Sequence, residues 1–161
     1  MGSDQDRDVH RPIKYVLFVC RHNAGRSQIA QAFFERYAPP EVRADSAGSE
    51  PVEALWPEVI EAMREVGIDL SDRKPKGLTV EMQRRADLAV TMGCGDACPY
   101  VPTTVEDWDL PDPAGRPLSE VRAVRDLIEK RVRELIARIE ALNARPAADA
   151  AFDRGKSPQE A

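Results

Sequence analysis

A cysteine, an arginine and a serine at fixed spacing could carry out nucleophilic chemistry on an oxyanion. Residues 20–27 read Cys-Arg-His-Asn-Ala-Gly-Arg-Ser, so five residues separate Cys20 from Arg26. A loop that enters a helix directs backbone N–H groups into one concavity, and the helix dipole adds positive potential there. The guanidinium of Arg26 can donate to two oxygens of one anion. The pattern therefore predicts a thiolate at Cys20 beside a site for a tetrahedral anion.

The other residues of this oxyanion loop, residues 20–27, have supporting tasks. The hydroxyl of Ser27 can donate to the sulfur of Cys20 and favour its thiolate form. Asn23 suits a turn with positive φ or a bond that braces the loop, and Gly25 permits close backbone approach. We expect the anion to be bound by Arg21, His22, Asn23, Ala24, Gly25 and Arg26. The alternative is an inert buried cysteine, with Arg26 on a helix surface.

Two further cysteines could exchange with a reactive thiol. Three residues separate Cys94 from Cys98, and the chain has three cysteines in all. Residues four apart on a helix have Cβ atoms roughly 5–6 Å apart, whereas a disulfide needs about 3.5–4.5 Å. A bond between them would require local unwinding, for which Gly93 and Gly95 supply freedom. Inert thiols are an alternative, and zinc is disfavoured because neither histidine has a finger-like spacing.

Alternating strands and helices must position these residues. Apolar runs predict strands at residues 15–19, 42–46, 88–92 and 105–110. Helical spacing of apolar residues predicts helices at residues 27–37, 52–66 and 118–142, with the charges of the last helix facing solvent. The alternation predicts a single α/β domain, doubly wound in three layers around a parallel four-stranded sheet. Ligands bind beyond the C-terminal strand ends of such sheets, where Cys20 and Cys94 both lie.

Composition limits the class of protein. The chain has 161 residues and a formal net charge of -5. The length fits one domain with a real core, and the charge argues against nucleic acid or an anionic membrane as the main partner. No apolar run approaches the ~20 residues that span a bilayer, and residues 1–11 do not resemble a secretory signal, so we expect a cytoplasmic protein.

The polar ends of the chain are expected to lie outside the folded unit. Residues 1–12 are predicted to be a disordered leader and residues 146–161 a disordered tail. The domain is therefore expected to span residues 13–145, and we expect it to be a monomer.

Several segments together resemble a known family. The end of the first strand with Cys20, Asn23 and Arg26-Ser27 is similar to the loop of the low-molecular-weight protein tyrosine phosphatase superfamily, and within it of the arsenate reductases. Further matching segments follow in family order: Ser46-Ala47-Gly48, Val90-Thr91-Met92, Cys98-Pro99 and Asp112-Pro113-Ala114-Gly115. The resemblance covers residues 13–142 and implies the fold of that superfamily.

The resemblance also implies a relay of thiols. Cys20 would attack arsenate, Cys94 would attack Cys20 as arsenite leaves, and Cys98 would attack Cys94. Ser46 would support the loop, and Asp112 would be the general acid. Thioredoxin is the implied reductant of the final disulfide. The compact cysteine spacing resembles actinobacterial relatives, some of which use mycothiol and mycoredoxin.

Other functions stay open. Ala114 and Gly115 stand where phosphatases of this superfamily carry aromatic residues, which disfavours a tyrosine phosphatase. A mycothiol-dependent reductase without an internal relay and an oxyanion- or redox-sensing module are further alternatives. Phosphate or sulfate would bind as mimics of arsenate. Gln31 and Lys76 replace acids that bind potassium in some relatives, so we expect no metal and no cofactor.

Overall fold

A computed structural model describes residues 12–93 and 104–145. The predicted leader and tail fall almost wholly outside these described residues. The strands are β1 (Tyr15–Cys20), β2 (Arg43–Gly48), β3 (Leu88–Met92) and β4 (Thr104–Asp107). The helices are α1 (Arg26–Tyr37), α2 (Pro57–Arg64), α3 (Val80–Arg85) and α4 (Leu118–Asn143). None of the helices described is long and apolar enough to cross a membrane.

The strands form a single parallel sheet with the order β2-β1-β3-β4. Cys20, the last residue of β1, lies in register with Gly48 of β2 and with Met92 of β3. The C-terminal ends of the three strands therefore meet at one edge. The predicted α/β class and the four-stranded parallel sheet are confirmed.

Helices cover the sheet unequally on its two faces. Val16 and Phe18 of β1 face the larger core, which they share with α1, α2 and α4. Leu17 and Val19 face the opposite side, where α3 packs against them. Burial on both faces explains why the sequence of β1 is apolar throughout. Burying each large apolar side chain contributes about 1.5–3 kcal/mol to folding.

An ion-paired cluster joins α2 to α4. Arg122 donates to Glu65 at 2.7 and 2.9 Å, and Arg125 donates to Glu65 and to the carbonyl of Ala62 at 2.8 Å each. Hydrogen bonds from Arg122, followed by those from Arg125, lower the pKa of Glu65 from 4.5 to about 2. The prediction that the charges of the last helix face solvent is wrong for Arg125, which is buried.

Two helices differ from the sequence predictions, and the strand expected at residues 105–110 already ends at Asp107. The helix expected at residues 52–66 begins only at Pro57, because proline is suited to the first helical position and Trp56 has an extended backbone. Helix α3 was not predicted, since its short length buries only Met82 and Gln83 and leaves no apolar period. Its start is capped by Thr79, whose side chain accepts from the Met82 N–H.

Candidate active site

The oxyanion loop connects the end of β1 to the start of α1. Its carbonyl oxygens turn outward, towards the segment that follows β2. The carbonyls of Cys20, Arg21, His22 and Ala24 accept from the N–H groups of Ser49, Glu50, Val52 and Trp56, respectively. Gly48 makes this close approach possible, because a Cβ there would lie 2.7 Å from the Arg21 carbonyl oxygen. Val52 and Trp56, which sequence periodicity assigned to a helix, thus hold the loop instead.

The backbone N–H groups of the loop are left free by this arrangement. Within residues 12–93 and 104–145, no protein acceptor binds the N–H groups of residues 22–25. The Nε atom of Arg26 is also buried without a partner in the described part of the chain. Unpaired donors beside the start of a helix favour an anion. We call these four amides and the Arg26 guanidinium the oxyanion clamp.

Cys20 is a free thiol at the base of the clamp, 2% exposed. Its sulfur lies 3.0 Å from the hydroxyl of Ser27. Asn23 has a φ of 54° and donates to Ser27 at 2.7 Å and to Ser46 at 3.1 Å. The sulfur therefore contacts a hydroxyl group whose position is fixed by the hydrogen bond from Asn23.

Arg26 crosses the site beneath the loop that contains Asp112. Its side chain is 6% exposed, and Nη1 donates to the Leu110 carbonyl at 3.3 Å. Nη2 lies 3.4 Å from the Asp112 carboxylate. The other carboxylate oxygen of Asp112 accepts from the Ala114 N–H at 3.0 Å, while the Asp112 side chain stays 42% exposed. A carboxyl group thus stands beside the clamp, within reach of solvent.

A buried glutamine braces the loop, and sequence reasoning missed it. Gln28 is 1% exposed and donates to Asn23 at 3.0 Å and to the carbonyl of Lys74 at 3.2 Å. Gln31 accepts from Ser46 at 2.6 Å. The sequence did contain a signal for this role. The face of α1 next to the loop carries the amides Gln28 and Gln31, where a helix packed on a core would carry apolar residues.

Other predicted residues lie near the rim. The Arg21 side chain is exposed and pairs with Glu50 at 3.3 Å. Arg21 therefore contributes to the loop through its backbone and not through its side chain. His22 meets Trp56 edge to face with ring centroids 5.8 Å apart. The Lys76 ammonium pairs with Asp45 at 2.9 Å, whereas its backbone N–H donates to Asn23.

The second and third cysteines, Cys94 and Cys98, lie outside the described residues. Gly93, which precedes Cys94, follows β3 at the same edge of the sheet as Cys20. Among the residues that the structure does describe, no group of three or more His, Cys, Asp or Glu side chains could hold a metal ion.

The family and structure comparisons agree with one another. The family model for low molecular weight phosphotyrosine protein phosphatase matches residues 15–145. Arsenate reductase 2 of Staphylococcus epidermidis is 39% identical over 121 residues, which cover 72% of this chain and 91% of that protein.

Solved structures of two activities share the fold. The thioredoxin-dependent arsenate reductase Cg_ArsC1′ of Corynebacterium glutamicum is 38% identical with a TM-score of 0.68, covering 86% of this chain and 68% of that one. The YwlE arginine phosphatase of Geobacillus stearothermophilus is 26% identical with a TM-score of 0.72, covering 80% of this chain and 94% of that one.

Proposed function

This chain belongs to the low-molecular-weight phosphotyrosine protein phosphatase family, and from that premise we propose that it is an enzyme that reduces arsenate to arsenite. Arsenate reductase 2 of Staphylococcus epidermidis and the Corynebacterium arsenate reductase are 39% and 38% identical to this chain, respectively. The arginine phosphatase shares the fold at lower identity. Arsenate reduction is therefore favoured over phosphate ester hydrolysis.

One observation carries the proposal at the level of the site. Cys20, whose sulfur contacts a hydroxyl, begins a loop that carries four backbone amides without an acceptor among the described residues and leads to the unpaired, buried Nε of Arg26. Arsenate is a tetrahedral anion, so its oxygens suit several N–H donors that converge on one point. The Nε and Nη2 atoms of Arg26 form a fork that can donate to two of those oxygens. Cys20, at the start of the same loop, then supplies the sulfur that attacks arsenic.

The first chemical step is attack by the Cys20 thiolate on arsenic. A sulfur–arsenic bond forms and one arsenate oxygen departs as water, for which Asp112 supplies a proton. Asp112 suits this role because its carboxyl lies beside Arg26 and is open to solvent. The adduct still contains arsenic(V), so no electrons have yet moved onto it.

Two thiol exchanges then complete the reduction. Cys94 attacks the sulfur of Cys20, the electron pair of the sulfur–arsenic bond passes to arsenic, and arsenite leaves. Cys98 attacks Cys94, which releases Cys20 as a thiolate and leaves a Cys94–Cys98 disulfide. The two electrons gained by arsenic are balanced by the two thiols that form this disulfide. A dithiol reductant of the thioredoxin class restores the enzyme, with mycothiol and mycoredoxin as the alternative.

The compartment follows from the chemistry of the thiols. A cycle that begins with three reduced cysteines requires a reducing environment, and the cytoplasm provides one. We expect the enzyme to act there as a monomer.

A single-turnover experiment tests the proposal. Fully reduced enzyme is mixed with excess arsenate and no external thiol, and arsenite, free thiols and peptide-mapped disulfides are measured together. We expect one arsenite per enzyme, loss of two thiols and a Cys94–Cys98 linkage. The Cys98→Ser variant should instead stop at a Cys20–Cys94 linkage after the same single arsenite, and Cys20→Ser should give none.

Other outcomes identify the alternatives. Arsenite that forms only after mycothiol is added would retain the reductase and remove the relay. No arsenite under either condition, with an aryl phosphate still hydrolysed, would make the protein a phosphatase.

A further inference from the structure

Gly93 lies against the guanidinium of Arg26, at the point where β3 ends. A Cβ atom built on Gly93 would lie 2.3 Å from Nη1 and 3.3 Å from Cζ of Arg26. Real Cβ atoms do not approach other atoms this closely. The guanidinium therefore occupies the space in which any other residue at position 93 would place its side chain.

The backbone at this position also requires glycine. Gly93 has a φ of 76°, a left-handed conformation that residues with a Cβ adopt only at a cost. Sequence reasoning assigned Gly93 a different task, namely freedom for Cys94 to move. In the structure its missing side chain makes room for the anion-binding arginine.

The contact has a direct bearing on the geometry of the clamp. Arg26 is anchored by Nη1, which donates to the Leu110 carbonyl at 3.3 Å, and Nη1 is the atom nearest to Gly93. The opposite edge of the guanidinium carries Nε, which is buried and unpaired among the described residues. A group that pushes Nη1 away from Leu110 would tilt that edge out of the position from which it donates to the anion.

We propose that Gly93 is a positioning residue for the oxyanion clamp: its bare backbone sets the Arg26 guanidinium in the plane that binds the anion. The inference rests on the proposed function only for the identity of the natural anion. It assigns to Gly93 a role in anion affinity that is separate from the thiol chemistry of the neighbouring Cys94.

The test compares Gly93→Ala with wild type, using inorganic phosphate as the probe. Phosphate affinity is measured by calorimetry, and the alkylation rate of Cys20 by iodoacetamide is measured without anion. We expect phosphate binding to weaken by ~10-fold or more, because loss of one hydrogen bond to a charged group lowers affinity by roughly 10–100-fold. Alkylation of Cys20 should change less than about twofold, since its contact with Ser27 is untouched.

Gly67→Ala is the matched control for backbone strain. Gly67 has a φ of 84°, and its Cβ would meet only the flexible end of Arg36 at 3.3 Å. This variant should lose thermal stability as Gly93→Ala does, yet bind phosphate like wild type. Equal phosphate affinity in Gly93→Ala and Gly67→Ala would overturn the inference.

A double variant tests whether Gly93 acts through Arg26. Lysine has no atom at the position of Nη1, so in the Arg26→Lys background Gly93→Ala should weaken phosphate binding by less than about twofold. If Gly93→Ala alone does not fold, the double variant should fold, because the clash is relieved. Failure of both to fold, or an undiminished loss of affinity in the double variant, would contradict the proposal.

Wild-type protein that does not bind phosphate would contradict the clamp itself, whereas phosphate binding without arsenate turnover would contradict only the proposed reaction.

Discussion

The side-chain amide of Asn23 donates to the hydroxyl of Ser27 at 2.7 Å, and that hydroxyl lies 3.0 Å from the sulfur of Cys20. The Asn23 oxygen accepts from the backbone N–H of Lys76 at 2.8 Å, and a backbone N–H can only donate, so the orientation of the amide is fixed. The Asn23 N–H then occupies a lone pair of the Ser27 oxygen. The hydroxyl hydrogen is left for the sulfur, which favours the thiolate.

We predict that Ser27→Ala slows the alkylation of Cys20 by iodoacetamide at neutral pH by about tenfold. The reason is that a hydrogen bond to a charged group contributes about 1.5–3 kcal/mol. The rate is followed on the Cys20 peptide by mass spectrometry, so that Cys94 and Cys98 do not interfere. Ser71→Ala, on the surface, is the matched control and should react like wild type. An unchanged rate in Ser27→Ala would show that the hydroxyl does not donate to the sulfur.

Asp112→Asn should lower the rate of arsenite formation without weakening anion binding. We expect the single-turnover rate of arsenite formation to fall by ~100-fold or more, since positioned acids contribute about 10²–10⁴-fold. Phosphate should bind as well as in wild type or more tightly, because a carboxylate beside the clamp is removed. The control is Asp109→Asn, a neighbouring exposed aspartate. A rate within about twofold of wild type would remove Asp112 from the mechanism.

Potassium should not be needed for activity. The side-chain oxygen of Asn23 already accepts from Gln28 and from the Lys76 N–H, and the Gln31 oxygen accepts from Ser46. These oxygens are therefore engaged by hydrogen-bond donors of the protein. Position 31 carries a neutral amide instead of the carboxylate that would attract a cation. Turnover is compared in potassium, sodium and choline chloride at equal ionic strength. A several-fold increase that is specific to potassium would contradict this prediction.

Glu65→Gln should change how folding stability depends on pH. The pKa of Glu65 is lowered from 4.5 to about 2, so its ion pairs stabilise the fold above the ordinary pKa and are lost as the pH falls from about 4.5 to about 2. Urea midpoints of wild type and variant should differ at about pH 7 and converge towards about pH 3.

Glu120→Gln provides the control for this measurement. Its partner Arg116 is exposed, and such surface pairs contribute about 0–1 kcal/mol. A gap between wild type and Glu65→Gln that does not narrow on acidification would show that the charge of Glu65 is not what joins α2 to α4.

Burial on both faces made β1 and β3 readable from sequence. The run of apolar residues at β3 gave the bounds found in the structure, and the charge-flanked stripe of α4 gave its start. The helix expected from residue 52 begins instead at Pro57, because Val52 and Leu55 looked periodic although the backbone before Pro57 is needed by the oxyanion loop. Local periodicity carries no information about a hydrogen bond to a distant loop.

In the candidate site, too, residues recognisable from local sequence were predicted, whereas those that depend on contacts between distant segments were missed. Cys20, Arg26 and Ser27 could be named from spacing, since the side chains that we propose for the chemistry lie within one short segment. Gln28 was missed because a polar residue within a helix usually faces solvent, and only the packed structure shows that it holds Asn23. The contact of Gly93 with Arg26 was missed for a related reason: it depends on two segments distant in sequence that meet at the edge of the sheet.

The outward turn of the loop carbonyls has a consequence for how this protein can evolve. Because the main chain supplies most of the donors in the clamp, the exposed and half-buried side chains at positions 21 and 22 are freer to change than those at 20, 26 and 27. In a saturation library selected for arsenate tolerance, substitutions should accumulate at the first set and be purged from the second. They should also be purged at Gly48, whose missing side chain lets the backbone hold its shape. In the proposed mechanism, anion recognition depends mainly on the path of the backbone, so few side chains of the loop would be under selection for it.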